Sequence, residues 1–413
     1  MSHARMFYPQ IDYRSHPAFR NIEAKTCYDD AEVNQRIAQI DAAIEAFEHD
    51  KRPDAILPDE FNRGPGIYLS DLEDYLRRTS RSPRMSDWFS RAFVTTRHEL
   101  VEEAHVANWR IEGISGETDG TTARRVTKAL DHDGVYICSL EPDTLVKLRA
   151  ICAPHMQGLR EKAKSGGTER VVHTFERYSK VGMVLDQFFR RQGILDGLKG
   201  YVGSNVSFAG FSLEYSYAGQ KWWRGLYSDV GLPESKTTYM HYDYGGRDPK
   251  AIIALSDIGE ENGPTGFVKG SHKVERSKFL HTMIKSLDYA FQPDPTLPYK
   301  TVYYRDRFAK AEYRREFLEQ PTAFHGCSHF GEDILDDTPL SRDLLSKEVK
   351  LTRNQGNCIV FDGNYGIHRG GLVRSGERFV FQIIFSIAPP LSLSQWVIRR
   401  SRGLAVRMLG KGN

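Results

Sequence analysis

The feature that most restricts this chain is a change of rhythm near residue 205. From there on, apolar residues come in short runs. Phe211, Leu213, Tyr215 and Tyr217 alternate with smaller or polar residues, the period of a strand with one buried face. Residues 251–255, 358–361 and 379–385 are short apolar runs, each bounded by Gly, Asn, Asp or Pro. Many short strands separated by turns predict a sandwich or barrel and argue against a Rossmann sheet.

The preceding part reads differently. Residues 1–123 are expected to form a mainly helical N-terminal extension. Asp29 and Glu32 suit a capping box, and Val33, Ile37, Ile40, Ile44 and Phe47 follow at helical spacing. Residues 51–66, rich in Pro, Gly, Asp and Asn, read as a loop. A second helical stretch is expected over much of 70–107. Near residue 124 the pattern shifts to a turn and a short strand ending at Cys138. Pro142 then opens a helix, and a further helix is expected over 172–198. Residues 273–350 are charged and aromatic, with Pro293, Pro295, Pro298 and Pro321. So long a connection must carry its own structure, so it reads as an insertion or lid with short helices. Residues 391–413 form a basic tail containing Arg399, Arg400, Arg402, Arg407 and Lys411, whose ordinary reading is a solvated helix end.

Composition narrows the function. The 413 residues suit two to three structural units, and 57 Lys plus Arg against 54 Asp plus Glu leave a net charge of +3. That balance predicts no general attraction to nucleic acid. A mean hydropathy of -0.51 and the absence of a long apolar window predict no membrane span. The N-terminal segment lacks an apolar signal region, and the five cysteines at 27, 138, 152, 327 and 358 are widely spaced with no CxxC. A cytoplasmic location is the expectation. Oligomeric state is not legible.

The sharpest local signal is Thr238-Tyr-Met-His241-Tyr-Asp243. Residues two apart on a strand point to one face, so His241 and Asp243 converge, and Tyr239 shares that side. An imidazole nitrogen and a carboxylate oxygen at this spacing can take adjacent positions on one metal. His368, in Asn364-Tyr-Gly-Ile-His368, is the best third ligand. Two histidines and one carboxylate make the facial triad of non-haem Fe(II) sites, with open positions for co-substrate and oxygen. On the motif alone, a core or hydrogen-bonding role for these residues is the competing reading.

The wider sequence resembles the phytanoyl-CoA dioxygenase-like branch of the Fe(II)/2-oxoglutarate oxygenases. The resemblance is carried by His241-Tyr-Asp243, by the strand and ENGP…GSHK phrase over 251–273, and by the segment 367–385; a weaker piece covers the strand and helix near 129–149. It spans roughly 124–390. It implies a mainly β core, a double-stranded β-helix or jelly-roll of the cupin kind, with flanking helices and iron at its mouth. It further implies that His241, Asp243 and His368 bind Fe(II) and carry catalysis. Arg378, ten residues after His368, would bind the distal carboxylate of the cosubstrate 2-oxoglutarate, a task suited to a planar guanidinium fork. Arg374 is the rival. Tyr239 would contact cosubstrate or substrate; a packed strand tyrosine is the alternative. The implied reaction is hydroxylation of an unactivated C–H of a polar small-molecule biosynthetic intermediate, with 2-oxoglutarate and O2 converted to succinate and CO2. Oxidative cyclisation, desaturation and epimerisation use the same ligands. Asp243 argues against a halogenase, which usually has a small residue there.

Other local patterns carry weaker signals. Residues 262–271 read chiefly as a scaffold turn. Gln220-Lys-Trp-Trp-Arg224 lines a pocket or covers the core. His325 and His329 have HxxxH spacing, but the flanking glycines argue against a helical second metal site. His98-Glu-Leu-Val-Glu102 misses HExxH, and there is no P-loop or nucleophile elbow. A non-catalytic jelly-roll binding protein and a cupin-like enzyme of another metal are the competing classes.

Overall fold

The computed structural model describes residues 7–49, 57–108, 120–164, 171–208, 210–218, 226–233, 235–237, 240–244, 248–273, 277–290, 308–354 and 356–388. The first helix, α1 (Asp30–His49), is capped by Asp29, whose carboxylate accepts from Ala31 N at 2.9 Å and from Glu32 N at 3.4 Å. Its apolar stripe, Val33, Ile37, Ile40 and Ile44, is buried. Then come α2 (Leu57–Arg63), α3 (Pro65–Thr79) and α4 (Pro83–Asn108). The loop expected over 51–66 is therefore corrected in its second half. Leu57 and Phe61, one turn apart, bury into the helical layer, and Pro65 sits at the first turn of α3, where its missing N–H costs nothing.

Next along the chain are α5 (Thr121–Asp133), β1 (Val135–Cys138) and α6 (Pro142–Lys164). Gly134 ends α5 at φ +76°; a Cβ there would also lie 2.6 Å from His272 Nδ1. After these come β2 (Val171–Glu176), α7 (Lys180–Arg191), α8 (Ile194–Val202), β3 (Asn205–Ser207) and β4 (Gly210–Tyr217). The helix expected over 172–198 is thus corrected: its start is an edge strand. Val171, Val172 and Phe175 suit a pleated surface, and they pair with β4. The helix begins only where Ser179 caps it, accepting from Gly182 N at 3.1 Å.

The remaining elements are β5 (Lys250–Ala254), β6 (Thr265–Val268), α9 (Lys278–Tyr289), α10 (Ala311–Glu319), α11 (Pro339–Lys347), β7 (Glu348–Lys350), β8 (Cys358–Phe361), β9 (His368–Gly370), β10 (Glu377–Ile384) and β11 (Ser386–Ala388). Six strands form an antiparallel sheet in the order β1-β8-β5-β10-β4-β2; a smaller sheet has the order β7-β6-β9, and β11 pairs with β3.

Two faces of the large sheet do different work. One packs against α5–α8 through Leu148, Phe188, Leu213, Phe379 and Phe381. The other meets the small sheet across Val135, Ile252, Phe267, Ile359, Phe361 and Val380. The result is a mixed α/β core with flanking helices. Among the described residues the sheets do not close into a barrel. A second helical mass joins α1, α3 and α4 to α9 and α10 through Phe19, Trp88, Phe93, Phe279, Met283 and Phe317. All five cysteines are free thiols.

Candidate metal centre

The site lies where the small sheet gains two extended segments beyond β9. His241 bridges His368 on one side and His329 on the other. The backbone fixes this row: His241 N donates to His368 O at 3.0 Å, His368 N to His241 O at 3.1 Å, and Tyr242 N to Ser328 O at 2.9 Å. Asp243 N donates to Gly363 O at 2.8 Å, which draws the carboxylate toward the turn that delivers His368. Single bridge pairs therefore do here what a regular strand was expected to do.

His241, Asp243 and His368 each bring one ligand atom to within 4.8 Å of the others. Asp243 Oδ1 is 3.9 Å from His241 Nε2, and Oδ2 is 3.2 Å from His368 Nε2. The His368 Nδ1–H donates to Gly366 O at 3.1 Å, which leaves its Nε2 lone pair for a metal. Asp243 Oδ2 is buried and accepts no well-formed hydrogen bond, although Lys250 Nζ lies 2.5 Å away. Burial acts to raise the Asp243 pKa; the charges of Lys250, His368 and His241 outweigh it and hold the carboxyl well below its usual range. A Cβ on Gly363 would stand 2.2 Å from Asp243 Oδ2 and 3.1 Å from His368 Cε1, so only a bare backbone lets the three side chains meet. An ionised carboxylate, ion-paired to Lys250 and facing two imidazole nitrogens, offers the donor set of a divalent cation.

Arg378 is buried on β10. It donates through Nη1 to Gly263 O and through Nη2 to Ser216 Oγ at 3.4 Å, while its Nε has no hydrogen-bond partner. Burial lowers its pKa, and Glu214 partly offsets that. Its Nη2 lies 3.6 Å from where a Gly370 Cβ would sit, which places the guanidinium at the far end of the strand that begins with His368. Arg374 is exposed in the preceding turn. Tyr239, residues 220–224 and the basic tail at 391–413 lie outside the described residues.

The 262–271 turn is scaffold. Gly263 holds φ +68°, Asn262 ties Gly259 to Ser375, and Ser271 Oγ accepts from Ile367 N at 2.8 Å. His325 and His329 go separate ways: His325 Nε2 meets Gln320 O at 3.1 Å, whereas His329 Nδ1 meets Asp288 Oδ2 at 2.9 Å. Sequence reasoning missed Lys250, Ser216 and the place of His329 beside His241. Lys250 had a signal, since it is the one charge opening an apolar strand; Asp288 and His329 had none, because their meeting is purely tertiary.

Comparison with known proteins follows the same line. Residues 232–379 match the family model for phytanoyl-CoA dioxygenase. Among curated proteins none matches. Solved structures with a similar trace include AviO1 from Streptomyces viridochromogenes Tue57, at 14% identity and TM-score 0.33, covering 67% of this chain and 100% of that one. EctD from S. alaskensis, solved with 2-oxoglutarate and 5-hydroxyectoine, has 13% identity and TM-score 0.37, covering 68% and 82%. These likenesses are too distant to carry an argument. No described helix is long and apolar enough to cross a membrane. The family match and the triad coincide: residues 232–379 carry a phytanoyl-CoA dioxygenase family domain, and His241, Asp243 and His368 all lie within it.

Proposed function

We propose that the protein is an Fe(II)/2-oxoglutarate-dependent dioxygenase that hydroxylates an unactivated C–H of a polar small-molecule biosynthetic intermediate. The observation that carries this is the convergence of His241, Asp243 and His368 within 4.8 Å, with a buried guanidinium along the strand from His368. On this reading the two facing sheets belong to a double-stranded β-helix over 124–390. Residues 1–123 are a helical extension, 273–350 an insertion or lid, and 391–413 a basic tail. Free thiols at all five cysteines suit a reducing cytoplasm.

His241, Asp243 and His368 would hold iron(II), a donor set of two imidazoles and one carboxylate. Bound iron supplies the redox chemistry by which O2 and 2-oxoglutarate become succinate and CO2 and the substrate is oxidised. The Gly366 carbonyl keeps His368 in the tautomer that offers Nε2. Lys250 keeps Asp243 ionised and limits its swing. Arg378 and Ser216 would take the distal carboxylate of 2-oxoglutarate, and Tyr239 would contact cosubstrate or substrate. The apolar wall of Phe267, Phe361 and Val380 keeps water out of the core behind the ligands. Hydroxylation, ring closure, desaturation and epimerisation share these residues; the placement of the substrate C–H selects among them.

The test is substrate-dependent succinate release across a metabolite library. Succinate that needs Fe(II), 2-oxoglutarate, O2 and a library compound, and that is lost in Asp243→Ala, is the expected result. Equal succinate from Asp243→Ala would refute the assignment.

A further inference from the structure

Nine of the twelve residues of α9 are buried, and they include His281, Lys285, Ser286 and Asp288. Burying so many polar groups in one helix is costly unless each is satisfied. His281, Lys285 and Asp288 are spaced by four and three, so they share one face. That face meets both segments that deliver imidazoles. His281 Nε2 lies 3.0 Å and Lys285 Nζ 3.3 Å from the carbonyl of Asn364, in the turn before His368. His281 also stacks on Tyr365, with ring centroids 5.2 Å apart. One turn along, Asp288 accepts from Ser328 Oγ and from His329 Nδ1. The ring so held lies nearly parallel to His241, at 11° and 5.1 Å between centroids.

The other face of α9 is apolar and anchored elsewhere. Phe279, Met283 and Leu287 enter the core of the N-terminal helices. Trp88 Nε1 donates to Leu287 O at 2.7 Å, and Thr96 Oγ1 to Met283 Sδ at 3.3 Å, both from α4. The helix thus spans the gap between the α1–α4 layer and the metal centre.

We infer that α9 is the positioning element of the metal centre. Asp288 fixes His329 as a plate against which His241 packs, and Lys285 with His281 holds the Asn364 turn that sets His368. The N-terminal helices act on the site by holding α9. This rests on the metal-centre reading above, and concerns residues that touch no ligand of the metal directly except through packing and backbone.

The test uses the full chain, Co(II) as the probe, and its visible d–d absorption. The variants are Asp288→Asn and Lys285→Met, both close in volume, and His329→Ala, whose side chain is partly exposed. Far-UV dichroism and melting of the metal-free proteins check the fold. Outer-shell changes of this kind weaken metal binding by about 10- to 100-fold. Each variant is expected to weaken Co(II) by that factor and to shift the d–d bands while melting near the wild type. Wild-type affinity and spectrum in folded Asp288→Asn or Lys285→Met overturn the inference. If Asp288→Asn does not fold, His329→Ala decides that arm by the same criterion. A wild type that binds no Co(II), or binds it equally after Asp243→Ala, sinks the metal-centre reading instead, so the two failures are separable.

Discussion

Replacing Gly363 by alanine adds one methyl group at the tightest point of the site. The new Cβ would stand 2.2 Å from Asp243 Oδ2, where ordinary contact needs about 3.5 Å, so the carboxylate must retreat by roughly 1 Å. Gly363 is not among the positive-φ glycines, so alanine brings no backbone strain. The retreating atom is the end of a side chain, and folding therefore loses little. Metal binding loses more. A misplacement of about 1 Å in a reacting constellation costs on the order of 100-fold, or about 2.7 kcal/mol. The assay is anaerobic Fe(II) competition against a chromophoric chelator, run beside thermal melts of the metal-free protein. The expected result is Fe(II) affinity lowered by about 100-fold with a melting point within a few degrees of wild type. Wild-type Fe(II) affinity in a folded Gly363→Ala protein would refute the reasoning that Asp243 must occupy that space.

Further outcomes follow from the same geometry. Arg378→Ala should raise the 2-oxoglutarate concentration needed for half-maximal succinate release by at least about tenfold, since a charge-assisted pair is lost, while Arg374→Ala should leave it unchanged; equal effects would move the carboxylate site to the turn. His16 and His325 both have pKa values pushed down to about 4, chiefly by burial. Below the ordinary value near 6.5 the unfolded chain takes up these protons first, so stability is full above pH 6.5 and falls as pH drops toward 4; melts of His325→Gln should show a smaller loss over that window than wild type. Phe381→Ala, on the sheet face packed against α5–α8 and fully buried, should cost about 3–5 kcal/mol in denaturant unfolding.

How much could be read in advance varied with how local the cause was. Strands β5, β8 and β10 were legible because each is an apolar run bracketed by turn formers, and α1 was legible because its cap and stripe are local. Strand β2 was not, since its alternation is short and it becomes a strand only by pairing with the edge of β4. Residues 57–66 misled for the opposite reason: a composition of loop formers also contains Leu57, Phe61 and a well-placed Pro65. His241 and Asp243 stood out because two residues apart is a local relation, and His368 because a turn and an apolar strand flag it. Lys250 had a local signal as the charge that opens an apolar strand, whereas Asp288 and His329, 45 and 86 residues after Asp243, meet only in the fold, and no local pattern encodes them. Of the double-stranded β-helix expected for the core, the described residues show two facing sheets with flanking helices and no closed barrel.

The most direct measurement is anaerobic Fe(II) binding to the wild type and to His241→Ala, Asp243→Ala and His368→Ala in turn. One ferrous ion per chain in the wild type, with a severe loss of affinity in each single variant, is what three ligands on one ion require. A chain that takes up Fe(II) equally well after any one of these replacements would contradict the account.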